Sequence, residues 1–387
     1  MGDELFVITK ENLETGLRGY PVGYCTTSAV HPTKGISYVE HSIESVAYWD
    51  VEKVIYLLYF GKEPTESQLS TFKKDLEKRS KCNPQALEAI AKLPTSGHPM
   101  KLFCAALLIF GMYETTGDYK EDCLNVIAKI PTLTAAVIRQ HSGWKTDTSS
   151  KPQEGYIEKF VYELNPPDAN HEDLLQVLKL FTILHFDHGG GNLSTFVGKA
   201  VASGLEDMYG SLCAAMCGLA GPKHGKANQD CLRFVSEILE QVGADATSED
   251  IAKLLEKKLE NHELIFGFGH AVLREEDPRA KIFFEFAQKK YPDFPLYKIA
   301  KLLREVGPDI LKKHSQAADP YPNVDAISGT VLAAGGFNYP QYFTILFGMS
   351  RIVGIAIQIV YERCEARSGK GTPIVRPSYI YKSREQH

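Results

Sequence analysis

No CxxC pair occurs among the eight cysteines of this 387-residue chain, which are scattered from Cys25 to Cys364. That excludes a disulfide framework and a structural zinc site, and it reads as buried thiols of a reducing compartment. Basic residues are in the minority: 43 Lys and Arg stand against 48 Asp and Glu, a net charge of −5. Such a chain has no basic field for nucleic acid or an anionic membrane, so neither is an expected partner. An anionic ligand would have to be held by a few placed arginines. The opening MGDELFVITK lacks the basic region and apolar run of a secretory signal, and it is not the Arg/Ser-rich text of a transit peptide. Cytoplasm is the expected location. There is no internal repeat, and the clearest breaks, 144–155 and 165–168, are too short for free linkers. Strand-like text is confined to about the first 45 residues, as in ISYVEHSIE.

What remains is helical. An apolar content of 44% with 24% charged residues describes an ordinary globular composition. HEDLLQVLKLFTILHFDH (171–188) repeats apolar residues at helical spacing and stops at Gly189–Gly191. ANQDCLRFVSEILEQVG (227–243) is amphipathic, and SEDIAKLLEKKLENH opens on Ser248, a fitting N-cap. RAKIFFEFAQKKY and PLYKIAKLLREV continue the pattern. GSLCAAMCGLAG (210–221) has side chains small enough for another helix to approach closely. FTILFGMSRIVGIAIQIVY (343–361) is long enough to span a bilayer. Arg351 at its centre would cost about 2.5–3.5 kcal/mol on insertion. A helix inside the protein is the better reading, and it makes Arg351 a buried cation in need of an anion. The chain reads as mainly α and two-lobed, with the charged helices between about 228 and 330 forming the smaller lobe.

Several short stretches carry chemistry. In FGFGHAVLREEDPR (266–279), Gly267 and Gly269 make a G-x-G, but no third glycine and no βαβ unit accompany them, so a dinucleotide loop is a poor reading. Pro278 suits the first turn of a helix capped by Asp277. Arg279 would then sit at a helix N-terminus, where an anion is favoured. LHFDHGGGN presents His185, Asp187 and His188. A metal would need a further converging ligand that the sequence does not supply nearby, so none is expected. His188 ends the helical pattern and suits a side chain offered to a cleft. GPKHGKAN brackets His224 with glycines and proline, and YPNVDAISG places Asp325 where helix capping would be its ordinary role. Three glycine-flanked histidines, one aspartate and arginines in apolar settings suit acid/base chemistry on a small multi-anionic substrate.

In order and spacing, GPKHGKAN, GFGHAVLREEDPR, PNVDAISG, FGMSR and RP at Arg376–Pro377 resemble citrate synthase, and HPM (98–100) and DHGGGN (187–192) agree. The resemblance spans nearly the whole chain, with wording like the mitochondrial and related bacterial enzymes. It implies a helical large domain over 1–225 and 337–387 with a small helical domain over 226–336 between them. It implies condensation of acetyl-CoA with oxaloacetate, then hydrolysis of citryl-CoA, with no cofactor beyond the CoA thioester substrate. His224 would hold the thioester carbonyl, Asp325 would act as base and His270 would polarise the ketone. His188, Arg279 and Arg351 would grip oxaloacetate, and Arg376 would reach in from the partner of a homodimer. Arg274, with Gly267, Gly269, Ala271 and Val272, would contact CoA. The short N-terminal region favours a dimer over the hexameric type with a β-rich extension. Lys223, Lys226 and Ile327 depart from the usual wording and bear on acyl specificity; the two lysines could disfavour protonation of His224 or point to solvent. A 2-methylcitrate synthase using propionyl-CoA and a non-catalytic oligomeric paralogue are the alternatives.

Overall fold

A computed structural model describes residues 5–145, 154–167, 169–314 and 319–384. Among them, strands form one small antiparallel sheet of β1 (Ser28–His31), β2 (Gly35–Tyr38) and β3 (His41–Ser42). Ser28 lies opposite Tyr38, His31 opposite Gly35 and Ser37 opposite Ser42. ISYVEHSIE is therefore not one strand. Val39 takes a positive φ of 55°, the chain turns, and Ser42 accepts the Ser45 N–H to cap a helix.

The first helices are α1 (Ile43–Val46), α2 (Val51–Phe60), α3 (Glu66–Arg79), α4 (Pro84–Ile90), α5 (Pro99–Glu114) and α6 (Tyr119–Ser142). Then come α7 (Tyr156–Leu164), α8 (His171–His185), α9 (Leu193–Ser203) and α10 (Met208–Leu219). A second group, α11 (Ala227–Val242), α12 (Ser248–Glu260), α13 (Pro278–Lys290), α14 (Pro295–His314) and α15 (Asp325–Ala334), packs largely on itself. The last helix, α16 (Phe343–Val360), returns to pack on α6, α8, α9 and α10.

Short polar side chains start most of these helices by accepting the orphan N–H groups of the first turn. Asp50, Thr65, Asp118, Asn170 and Asp207 do so for α2, α3, α6, α8 and α10. Asp277 caps α13 with Pro278 in its first turn, as the sequence predicts. For α12 the cap is Thr247 rather than Ser248, because Thr247 and Asp250 complete a reciprocal capping box that Ser248 has no partner for. Asp168 and residues 146–153, within the two expected breaks, lie outside the described residues.

Every residue of α16 is buried, so the stretch long enough to cross a membrane is enclosed by other helices. The small residues of α10 meet α9 and α5 closely, as expected from their size. Beside α16, the chain leaves α8 at His185, three residues before His188, so His188 sits in a loop and not on a helix end. The cause is tertiary: the carbonyls of His185 and Phe186 accept from Arg351 Nε at 3.0 Å and Gly354 N at 3.2 Å of α16, which draws the chain out of helical register.

Gly354 is where these two segments touch. A Cβ added there would overlap the Phe186 carbonyl and lie 2.7 Å from both Cβ and Cγ of Asp187. Overpacking of this kind costs about 1–3 kcal/mol, so Gly354→Ala is expected to lower the urea midpoint by that equivalent without changing the m-value. Denaturation followed by far-UV circular dichroism checks it; an unchanged midpoint would show that the 186–187 segment moves aside freely.

Candidate active site

Two loops are laced together to build one side of the site. Gly269 N–H donates to Tyr321 O at 3.0 Å, Asn323 N–H donates to Gly267 O at 2.9 Å, and Asn323 Nδ2 donates to Gly269 O at 2.9 Å. Asp277 N–H closes the lacing on Pro322 O at 3.1 Å. Gly267 has φ +84°, and a Cβ there would lie 2.8 Å from the Cα of Ala326. Its glycine therefore serves first to let the loop lie against α15. The lacing sets His270 beside the first turn of α15, which Asp325 begins. Asp325 does not cap this helix; Asn323 Oδ1 takes the Asp325 N–H at 3.0 Å, leaving the carboxylate free of that duty. Asn323, whose role the sequence did not signal, stands inside the PNVDAISG motif.

The protonation of the histidines follows from their partners. Both Val272 N–H (3.0 Å) and Leu273 N–H (2.8 Å) donate to His270 Nδ1. A backbone N–H can only donate, so Nδ1 accepts, the proton is assigned to Nε2, and the ring is neutral. His224 is fixed in the opposite sense. Ser194 N–H lies 3.3 Å from His224 Nε2, with Ser194 Oγ at 3.0 Å, which assigns its proton to Nδ1. Burial, then the charge of Arg279, pushes His270 down to about 4. His224 is pushed to about 4 by burial and then by Arg351. The flanking lysines play no part in this: Lys223 is exposed and Lys226 pairs with Asp230 at 3.3 Å. His188 is held well below its usual value by burial, then by Arg279 and Arg351. Its Nε2 is buried without a hydrogen-bond partner, and its ring lies 5.1 Å from that of His270. An orphaned buried nitrogen of this kind fits a ligand.

Asp325 is the acid of the group. Burial raises its carboxyl to about 7, with Asp277 adding to the effect and Arg279 and Arg351 opposing it. The two cations differ. Arg279 is pinned by Asp277, with Nε to Oδ1 at 3.1 Å and Nη2 to Oδ2 at 2.7 Å. Arg351 is 2% exposed, lies over the Phe347 ring at 4.8 Å, and donates one hydrogen bond, Nε to His185 O. Its pKa falls to about 10 through burial, so it stays charged and underbonded. A charge left in that condition is costly unless a ligand completes it.

The remaining expected residues fall into two sets. Arg274, exposed, folds its Nη1 onto the carbonyls of His270, Val272 and Leu273, and Ala271 and Val272 line the same exposed loop. Arg376 is exposed on the extended C-terminal segment, and no contact among the described residues brings it to the cluster. His185, Asp187 and His188 do not converge: His185 is buried with Nδ1 on Phe181 O at 2.8 Å. Among the described residues no group of three or more His, Cys, Asp or Glu is placed to hold a metal ion. Ile327, in the same first turn of α15 as Asp325, is fully buried.

Two donor-ready neutral imidazoles, a carboxyl poised near neutrality and a buried cation suit proton transfer at carbon next to a polarised carbonyl. The histidine assignment has a direct check. His188, His224 and His270 are expected to stay neutral between pH 6 and 8, read from imidazole nuclear magnetic resonance shifts; a midpoint near 6.5 for His224 or His270 would refute it. Each folded pKa lies below the unfolded value, so their contribution to stability is present above about 6.5 and is lost as pH falls toward 4.

A family model described as citrate synthase, C-terminal domain, matches residues 16–378. Citrate synthase 4 of Arabidopsis thaliana, a mitochondrial protein, is 35% identical over 381 residues, covering 92% of this chain and 80% of its own length. A mitochondrial 2-methylcitrate synthase of Yarrowia lipolytica is 34% identical over 341 residues, covering 84% of this chain and 72% of its own length. The citrate synthase of Thermoplasma acidophilum, solved with carboxymethyl coenzyme A and oxaloacetate, superposes with a TM-score of 0.80 at 26% identity, covering 96% of this chain and 99% of that one. With a family match over nearly its full length and helices arranged as in that solved structure, the chain belongs to the citrate synthase family of acyl-transferring enzymes.

Proposed function

We propose that this chain condenses acetyl-CoA with oxaloacetate and hydrolyses the resulting citryl-CoA to citrate and CoA. The observation that carries the reading is the pairing of two neutral histidines, each with its proton assigned by backbone donors, with a carboxyl raised to about 7. His224 Nδ1–H donates to the thioester carbonyl while the Asp325 carboxylate removes a methyl proton. The enol carbon attacks the ketone carbon of oxaloacetate, and His270 Nε2–H supplies the proton to the ketone oxygen. Water then cleaves the thioester of citryl-CoA. Arg351, underbonded, and His188, with its orphaned Nε2, take the oxaloacetate carboxylates together with Arg279. Arg274 and the 267–272 backbone contact CoA.

The proposal extends to a homodimer in which Arg376 serves the partner's site, consistent with its exposed place on an extended segment. It also includes a closing division near residues 226 and 336, which would exclude water from a weakly acidic C–H. No cofactor or metal is proposed. Cytoplasm remains the proposed location, although several relatives are named as mitochondrial.

Thiol release from acetyl-CoA that depends on oxaloacetate is the expected result. Because the base form of Asp325 is required, kcat/KM for acetyl-CoA should rise with pH through about 7 and then level. Asp325→Ala should cut kcat by about 10²–10⁴-fold while leaving oxaloacetate affinity within a few-fold. No thiol release from folded protein would end this reading, and retained turnover in the variant would remove Asp325 as the base.

The relative named 2-methylcitrate synthase favours a second reading, with propionyl-CoA as the acyl donor. One methylene in an apolar pocket is worth about 1–3 kcal/mol, so the preference is a ratio and both activities can coexist. Comparing kcat/KM for acetyl- and propionyl-CoA decides: the acetyl value is expected to exceed the propionyl value, and the reverse would assign the second activity.

A further inference from the structure

Behind the loop that carries His188 runs a buried polar chain that reaches the far end of α16. Asp187, fully buried, accepts the His188 N–H at 2.9 Å, a 2.9 Å bond from Ser28 Oγ and another from Thr27 Oγ1. Its two oxygens also face Gln358 Nε2 at 2.9 and 3.1 Å, and the same nitrogen reaches Gly189 O at 3.3 Å. Gln358 therefore holds the Asp187 side chain on one side of His188 and the Gly189 carbonyl on the other. On its other side, Gln358 Oε1 accepts from Lys199 Nζ at 3.3 Å, and Lys199 pairs with Glu362 at 2.9 Å. Lys199 and Glu362 are 8% and 9% exposed. The loop rests directly on this chain, since a Cβ at Gly190 would lie 2.9 Å from Lys199 Nζ.

A primary amide can be turned over, exchanging its oxygen for its NH2 group with little change of shape. Turned over here, Gln358 would set its oxygen against the Asp187 carboxylate and the Gly189 carbonyl, all three of them acceptors. Asp187 and Gly189 oppose this from one side, and the ammonium of Lys199 opposes it from the other by demanding an acceptor. Lys199 is itself held by Glu362, which balances its buried charge.

We infer that Lys199 is a positioning residue: through the orientation of the Gln358 amide it sets the place of the His188 loop, and with it the affinity for the dicarboxylate substrate. The inference rests on the reading of His188 as an oxaloacetate contact. Lys199 touches no substrate and acts through Gln358, Asp187 and Gly189 in turn.

Two double variants separate orientation from mere burial of an ion pair. Lys199→Met with Glu362→Gln removes the donor and leaves no orphaned charge. Lys199→Glu with Glu362→Lys restores an ion pair but presents Gln358 with an acceptor, which favours the turned amide. Both should raise KM for oxaloacetate about tenfold with kcat within about twofold, the signature of lost ground-state and transition-state binding alike. The charge-swapped protein should recover most of the urea midpoint that the first variant loses, yet keep the raised KM. A charge-swapped protein with wild-type KM would overturn the inference, as would a wild-type KM in the first variant. Hydrogen exchange at the His188 amide, expected to quicken in both variants, reads the loop without reference to activity. If the wild type shows no oxaloacetate-dependent thiol release, the functional reading fails, while the exchange result still decides the positioning role.

Discussion

Arg351 carries its charge into the middle of an eighteen-residue helix with no solvent-facing side, and burial lowers its pKa only to about 10, so it remains a cation. The surrounding structure is arranged around that fact. The His185 carbonyl leaves helical bonding to accept from Arg351 Nε, the chain departs α8, and the loop with Asp187 and His188 is delivered beside the charge. Burial first, and then Arg279 and this same cation, keep His188 from accepting a proton, and both arginines moderate the rise of Asp325. One underbonded guanidinium thus acts, second to burial, on groups of three separate segments.

Its counterpart is a backbone constraint. The 267–270 and 321–323 loops are laced by main-chain and Asn323 bonds, and the donors at residues 272 and 273 fix the His270 tautomer. Ser194 does the same for His224 from the start of α9. Backbone donors are well suited to this task because they cannot reverse their role and move little, so the imidazole protons are aimed before a ligand arrives. The aim is opposite in the two rings: Nε2–H in one, Nδ1–H in the other.

Helix starts were legible because capping is local chemistry. Asp277 with Pro278 begins α13 as its residue types require, and the one-residue shift from Ser248 to Thr247 came from a reciprocal partner, Asp250, three residues on. The buried character of α16 was also legible, since its apolar text is long and Arg351 is unsuited to lipid. The end of α8 was not. Apolar spacing runs on to His188, but the bonds that unwind the chain at His185 come from α16, more than 160 residues away. Nor could composition show that Lys223 is exposed and Lys226 pairs with Asp230, because that depends on the direction in which a turn leaves α10.

The sequence by itself determined a helical protein with a few candidate histidines, aspartates and arginines, and its motifs in order named the family. Residue types and short-range spacing carry that information, because capping, periodicity and charge are properties of neighbours. Tertiary structure alone decided which ring nitrogens carry protons, that Asp325 titrates near 7, and that Arg279 is paired while Arg351 is not. It alone placed Lys199 and Glu362 behind the His188 loop. Each of these depends on burial and on donors brought from distant segments, and neither burial nor a distant donor is written in the local text.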